Sequence, residues 1–240
     1  MTTPRLASLS ALLLGALTTP ALAQPGGPPP NYPPAPEPYP AQPGAYPYGG
    51  QTAVGIPPGH ETHDGFYLGL QLGPGYSSMS TSSGGADVTV SGGGLELSIA
   101  AGGVVAPNLV VFGQIVGNSS IDPKIEIKGF GSGTANGSAT VSGFGVGLAY
   151  YVMPANVYLS ASLLATQLAV ADENGDDVGK TDIGAGINLS AGKEWWVSDN
   201  WGLGGALQFM AARMKDKGEA GSKPTWTSVG FALALSATFN

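Results

Sequence analysis

Chemistry at neutral pH needs a base, a nucleophile or a metal ligand, and this chain holds few of them. Its only histidines are His60 and His63, it has no cysteine, and charged residues are 10% of its 240 positions. His60-Glu61-Thr62-His63 is one residue short of the spacing that sets two imidazoles on one helical face around zinc, and it lies in a linker, not a helix. With no histidine after residue 63, a Ser-His hydrolytic pair lacks its general base. The acidic run Asp172-Glu173-Asn174-Gly175-Asp176-Asp177 resembles a calcium loop only in outline. Its sixth position is Asp177 where the turn needs Gly, and its twelfth is Ile183 where a bidentate Glu is needed. It reads as a solvated loop tip, with weak divalent-cation bridging as the sharper alternative. No catalytic residue, cofactor or metal is assigned, and a non-enzymatic protein is expected.

The elements that would position any other site follow from composition. Gly is 39 residues and Pro 20, and 16 acids against 9 bases give a net charge of -7. Too few charges remain to cover a water-facing surface, and no Lys/Arg cluster matches a phosphate backbone, which argues against nucleic acid. Residues 1–23 read as a secretion signal: Arg5, the apolar run Leu6 to Leu17, and the small-x-small site Ala21-Leu22-Ala23. The run is too short for a helical anchor, which needs roughly 20 apolar residues. Residues 24–62 form a Pro/Tyr/Gly-rich linker, expected to be extended or disordered because proline lacks the amide donor. It serves as a spacer, or as a ligand for the cell wall or a protein.

From residue 63 to 240, short runs alternate apolar with small or polar residues, the period of two that marks strands. Phe66, Leu68, Leu70 and Leu72 oppose Tyr67, Gly69, Gln71 and Gly73; Val229, Phe231, Leu233, Leu235, Ala237 and Phe239 oppose Gly230 to Thr238. Eight such strands can be counted. The third, Leu109 to Gly117, is the least regular, with apolar residues on both faces. The apolar faces suit either a transmembrane barrel, pointing outward, or a secreted lipocalin-like carrier, turning Leu68, Leu70, Leu233 and Leu235 inward. Connection lengths favour the first. Turns at Ala106-Pro107-Asn108, Met153 to Asn156 and Ser198-Asp199-Asn200 are tight, whereas residues 77–92, 118–138, 171–181 and 214–224 are long and polar. Tyr150, Trp195, Trp196, Trp201 and Phe239 gather near the short turns and Trp226 near the long loops, as interface belts would.

From about Phe66 to Asn240, with an alternating last strand closing on Phe239, the chain resembles the small eight-stranded outer-membrane barrels of the OmpA membrane-domain and OmpX type. The resemblance implies an all-β, eight-stranded antiparallel up-and-down transmembrane barrel in a bacterial outer membrane, contacting lipid and lipopolysaccharide. It also implies recognition by the barrel-assembly machinery through the strand ending at Phe239, and a periplasmic N-terminal arm. Two candidate sites remain. Lys124-Ile125-Glu126-Ile127-Lys128 continues the parity of Val111 and Ile115 beyond the length needed to cross lipid, so it reads as half of a projecting hairpin able to dock a partner, and Ala86 to Ser91 reads as a similar extension of the second strand. Tyr67, Gln71, Glu96, Gln114, Asn188 and Gln208 are the candidate lumen-lining residues, with Glu96 and Asp182 as inward acids. Inward glycines leave either a thin interior, hence a narrow channel for small solutes, or relief of strain in a tightly coiled sheet.

Overall fold

The computed structural model describes His63 and residues 65–83, 86–217 and 223–240; the signal, His60 and the Pro-rich linker lie outside these. Its elements, in chain order, are strands β1 (Phe66–Ser83), β2 (Ala86–Ala106), β3 (Leu109–Ile121), β4 (Lys124–Ile127), β5 (Gly131–Thr134), β6 (Ser138–Val152), β7 (Val157–Ala171), β8 (Asp177–Lys180), β9 (Gly184–Trp196), β10 (Trp201–Lys215) and β11 (Thr225–Phe239). Eight of them, β1, β2, β3, β6, β7, β9, β10 and β11, form one antiparallel wall. β1 pairs with both β2 and β11, for example Leu68 with Ala101 and with Phe239, so the sheet closes on itself and leaves no edge in the wall.

The alternation read from the sequence sorts by face. Leu233 is 62% and Leu235 78% exposed, whereas their neighbours Ala232 and Ala234 are buried. Leu70, Leu148, Leu159, Leu163, Leu203 and Leu207 are exposed in the same way. A belt of apolar side chains facing outward on every strand is a lipid-facing surface, and it overturns the carrier alternative, which needs those leucines inside. The tight turns rely on residues that tolerate the left-handed backbone region: Asn108 has φ 62° and Asn156 φ 49°.

Two sequence expectations change. The segment 77–92 is not a loop: β1 and β2 stay paired without a slip from Phe66–Gly103 to Ser83–Ala86, so Ala86 to Ser91 do extend the second strand and Ser77 to Ser83, read as loop, extend the first. Its Ser/Thr-rich composition hid the strand because, above the lipid, neither face has to be apolar. The hairpin half Lys124 to Ile127 does follow β3 along β2, yet not in the expected parity. Gly94 pairs with Ser120 and Ser91 with Lys124, so Ile121, Asp122 and Pro123 face only Gly92 and Gly93. One extra residue, with Asp122 at φ 45°, flips the side-chain alternation. Ile125 and Ile127 therefore lie opposite Val90 and Val88, on the face continuous with the lumen, and not on the lipid side.

Candidate functional site

The lumen is arranged in three layers. At the long-loop end, Met79, Val116, Val141, Leu164, Leu168, Met210 and Met214 form a buried apolar cluster, with Val90 and Trp226 packed on it. At the short-turn end Tyr67, Val110, Phe112, Tyr151 and Tyr158 form a second. The inward Val110 and Phe112 explain why the third strand looked apolar on both faces. Between them lies a polar middle that holds five of the six candidate lumen residues: Glu96, Gln114, Asn188 and Gln208 are buried and Gln71 is half-buried, while the sixth, Tyr67, is buried in the short-turn cluster.

Hydrogen bonds run across this middle. Gln208 donates to Gln71, Gln71 donates to the Tyr158 hydroxyl at 2.6 Å, and Tyr158 lies 3.2 Å from Ser236. Ser236 and Thr238 both donate to Glu194, the latter at 2.7 Å. Because β1 and β7 are four places apart around eight wall strands, the Gln71–Tyr158 bond spans the barrel. A second link joins Ser162, Gln114 and Ser98 at 2.6 and 2.7 Å. The cavity bordered by Gln71, Gln114 and Tyr158 is only about 10 Å³, room for about one water.

The inward glycines serve two ends: at Gly73, Gly145, Gly184 and Gly204 an added Cβ would lie 1.8–2.1 Å from a backbone carbonyl oxygen of the neighbouring strand, the close approach of a tightly coiled sheet, whereas Gly69 and Gly192 are floors under large side chains. A Cβ on Gly69 would lie 2.5 Å from the Tyr67 hydroxyl, and one on Gly192 2.5 Å from the Tyr158 ring. The interior is thus filled by aromatic rings lying over glycines, not left thin.

Glu96 is a lumen acid as expected, 1% exposed, with Gln208 beside it. Asp182 is not: it precedes β9, is partly exposed, and pairs with Lys223 at 2.7 Å. The second lumen acid is Glu194, which sequence reading missed although it shares the even-number parity of Asn188 and Ser190 on β9. Among the described residues no Lys or Arg pairs with either acid.

His63 was also missed. It is buried against the short-turn end, stacked on Tyr151 at 3.6 Å, 5.2 Å from the Trp196 ring, with Nε2 2.9 Å from Asn156 Oδ1. No residue pattern before the first strand announces this contact. It also corrects the placement of Trp196, whose even parity turns it inward to this plug, while Trp195 points out at 60% exposure. Trp226 likewise packs over the lumen. The outward rings at the short-turn end are Phe66, Tyr150, Trp195, Trp201 and Phe239, the last in contact with Phe66 and Trp201 at 6.5 and 5.3 Å.

Beyond the wall, the upper parts of β1 and β2 join β4 and β5 in a projecting sheet, in the order β1-β2-β4-β5. β5 pairs only with β4, so Gly131 to Thr134 form an edge with free backbone groups. Phe130, 86% exposed, closes an open groove of about 330 Å³ with Ile125, Ile127 and the β5 backbone. The charges of this hairpin are spent locally: Lys124 pairs with Glu126 at 3.3 Å and Lys128 with Asp87 at 3.4 Å. Ser82, donating at 2.6 Å, and then Lys128 hold the Asp87 carboxyl below its usual range.

A closed eight-strand wall, an apolar outer belt, a filled lumen and sheet extensions at one end define the comparison class. Neisserial surface protein A (NspA) superposes with a TM-score of 0.50 at 16% identity, over 73% of this chain and 97% of that one. This chain has the fold of the small eight-stranded outer-membrane β-barrels. OprG from Pseudomonas aeruginosa aligns over 75% of this chain and 99% of its own at 14% identity and TM-score 0.48. The outer membrane protease OmpT from Escherichia coli aligns at 10% identity and TM-score 0.40, over 74% and 97%. No family model and no curated protein sequence matches the chain. The likeness is therefore one of fold, and function has to be argued from the residues of this barrel.

Proposed function

We propose that the chain is a non-enzymatic integral outer-membrane barrel whose work is done at the cell surface by the projecting sheet, with the Pro-rich arm as a periplasmic spacer. The observation that carries this is the open edge of β5 beside the apolar strip of Ile125, Ile127 and Phe130. A partner segment adding one strand along Gly131 to Thr134 would satisfy its backbone there and seat alternate side chains in the groove. Lys124 to Lys128 are the docking hairpin in this reading, and Phe239 remains the proposed handle for barrel assembly. The non-enzymatic part is supported by where the imidazoles fall. Both precede the first strand, and His63 is stacked into the short-turn end, away from the rim where a substrate would arrive.

The same geometry argues against the narrow-channel reading, since Gln71 and Tyr158 bridge the lumen and methionines and tyrosines fill its two ends. The test is deletion of residues 121–135 from the full chain. Surface adhesion and partner capture are expected to fall to background while heat-modifiable gel mobility, the sign of a closed barrel, stays. Unchanged capture overturns the docking reading. Discrete single-channel conductance of the intact protein in planar bilayers would restore the channel.

A further inference from the structure

The hydrogen bonds across the lumen have a direction, and their last acceptor is left over. Ser236 spends its one hydroxyl proton on Glu194, so the Tyr158 hydroxyl donates to Ser236. Tyr158 then accepts from the Gln71 nitrogen, which turns the Gln71 carbonyl to the Gln208 nitrogen. The chain therefore fixes which way the Gln208 amide points, and Gln208 Oε1 is buried with no partner. Gln208 borders Glu96, whose two carboxylate oxygens are also buried and unpartnered. Asn118 stands directly across from Glu96 in the β2–β3 register, 3% exposed, and its Oδ1 is a fourth buried oxygen without a donor.

The backbone brings these three side chains together. Asn118 and Glu96 come from β3 and β2 and Gln208 from β10, and between β2 and β10 lie β1 and β11. There the inward positions are Gly75, Gly230 and Ala232, which form a low floor. Gln208 and Gly75 both pair with Ala232, one from each side. Asn118 reaches over this floor: a Cβ on Gly75 would lie 3.2 Å from its Nδ2, and one on Gly230 3.1 Å. Residues from opposite sides of the floor thus converge above glycines that leave them room. Met210 and Met79, both buried, stand further up β10 and β1, between this place and the long-loop mouth.

We propose that one alkali-metal cation sits among Glu96, Asn118 and Gln208, held by the carboxylate and the two amide oxygens, and ties β10 to β2 and β3 across the β1–β11 floor. The chemistry follows from the acceptors. A proton on the carboxylate would serve one other oxygen and leave the rest bare, and water would leave the charge uncompensated. A monovalent cation takes all four oxygens and brings the place to neutrality, as burial under methionines demands. Oxygen donors alone suit a hard ion, but a divalent one would leave positive charge that nothing here offsets. The ion is structural. Gln71 and Tyr158 bar the lumen beneath it, so it is enclosed as the barrel closes and is not conducted.

The test is reversible urea unfolding of the full chain in vesicles, refolded in sodium, potassium or calcium chloride against N-methylglucamine chloride of equal ionic strength. The better of the two alkali salts is expected to lower the unfolding equilibrium constant about tenfold, saturating as for one site, and calcium to do no better than N-methylglucamine. E96Q is expected to lose the alkali response, and to be the more stable protein where alkali ions are absent. Asn118→Leu is expected to lose it with the carboxylate still in place, whereas D182N, which removes a surface carboxylate, keeps it. Wild-type stability indifferent to both alkali salts overturns the site, as does an equal response in E96Q or a larger one to calcium. Should either lumen variant fail to fold, crystals of the wild type grown with thallous ion read the position directly. One anomalous peak bordered by Glu96, Asn118 and Gln208 supports the site, and its absence there overturns it.

Discussion

An arginine scan along the outward positions of β11 tests the membrane geometry quantitatively. Each residue raises the strand by about 2.6 Å, so an apolar band of about 25 Å spans about ten residues upward from Phe239. Leu235 and Leu233, 78% and 62% exposed, then bracket the midplane, while Thr227, opposite Arg213 on β10, sits above the band. Leu233→Arg and Leu235→Arg are expected to cost about 2–4 kcal/mol each, Val229→Arg less, and Thr227→Arg and Ala237→Arg about 0–1 because their side chains reach an interface. The assay is reversible denaturant titration of the protein folded into vesicles, followed by tryptophan emission. A flat profile, or a Leu233→Arg cost no larger than that of Thr227→Arg, would refute the claim that the odd face of β11 crosses lipid.

Other perturbations probe the interior. Gly192→Ala sets a methyl against the Tyr158 ring, which is buried and bonded to Gln71, so overpacking should lower stability by about 1–3 kcal/mol in the same titration. Glu96→Gln removes a carboxylate held without a countercharge, with neither oxygen in a hydrogen bond; the denaturation midpoint should rise by the equivalent of about 1–3 kcal/mol, and a fall contradicts the burial. The Asp182–Lys223 pair lowers the acid's pKa, so its contribution is present above the ordinary carboxylate value of 3.8 and is lost as pH falls through the depressed folded one. Wild type should therefore lose its small advantage over D182N in melting temperature only below that range, and an advantage that vanishes nearer neutrality counts against the pair.

The wall was legible because lipid and lumen demand opposite residues at alternate positions, as Leu233 and Ala234 illustrate on β11. Where that demand stops, legibility stops. Ser77 to Ser83 pair as regularly as any residues in the barrel, yet above the lipid their hydroxyls carry no period. The slip at Ile121 to Pro123 inserts one residue, which leaves the Lys124 to Lys128 alternation intact while reversing its faces. Trp196 and Trp226 were misassigned because height was read without parity; both are even-numbered on strands whose even residues point inward. Glu194 was readable by the same rule. The His63 plug was not, since its partners Tyr151, Asn156 and Trp196 come from two strands and a turn that only the closed barrel brings together.

The filled lumen also constrains where new function can arise. Gln71, Tyr158, Ser236 and Glu194 hold five wall strands to one another with Gln208, so a substitution there is a stability change first. The β5 edge is under the opposite pressure. An open edge is an aggregation hazard that charges, bulges or short length usually blunt. Here Gly131-Ser132-Gly133-Thr134 combines shortness with poor strand formers, and the charges stay on β4 and in the turn. Such an edge is too weak to recruit a strand by backbone pairing alone. It becomes specific only if a partner also covers Ile125, Ile127 and Phe130, which makes Phe130→Ser, with the hairpin otherwise intact, the sharpest single change for separating docking from mere projection. Capture that survives it would mean that the edge, and not the apolar strip, does the recognising.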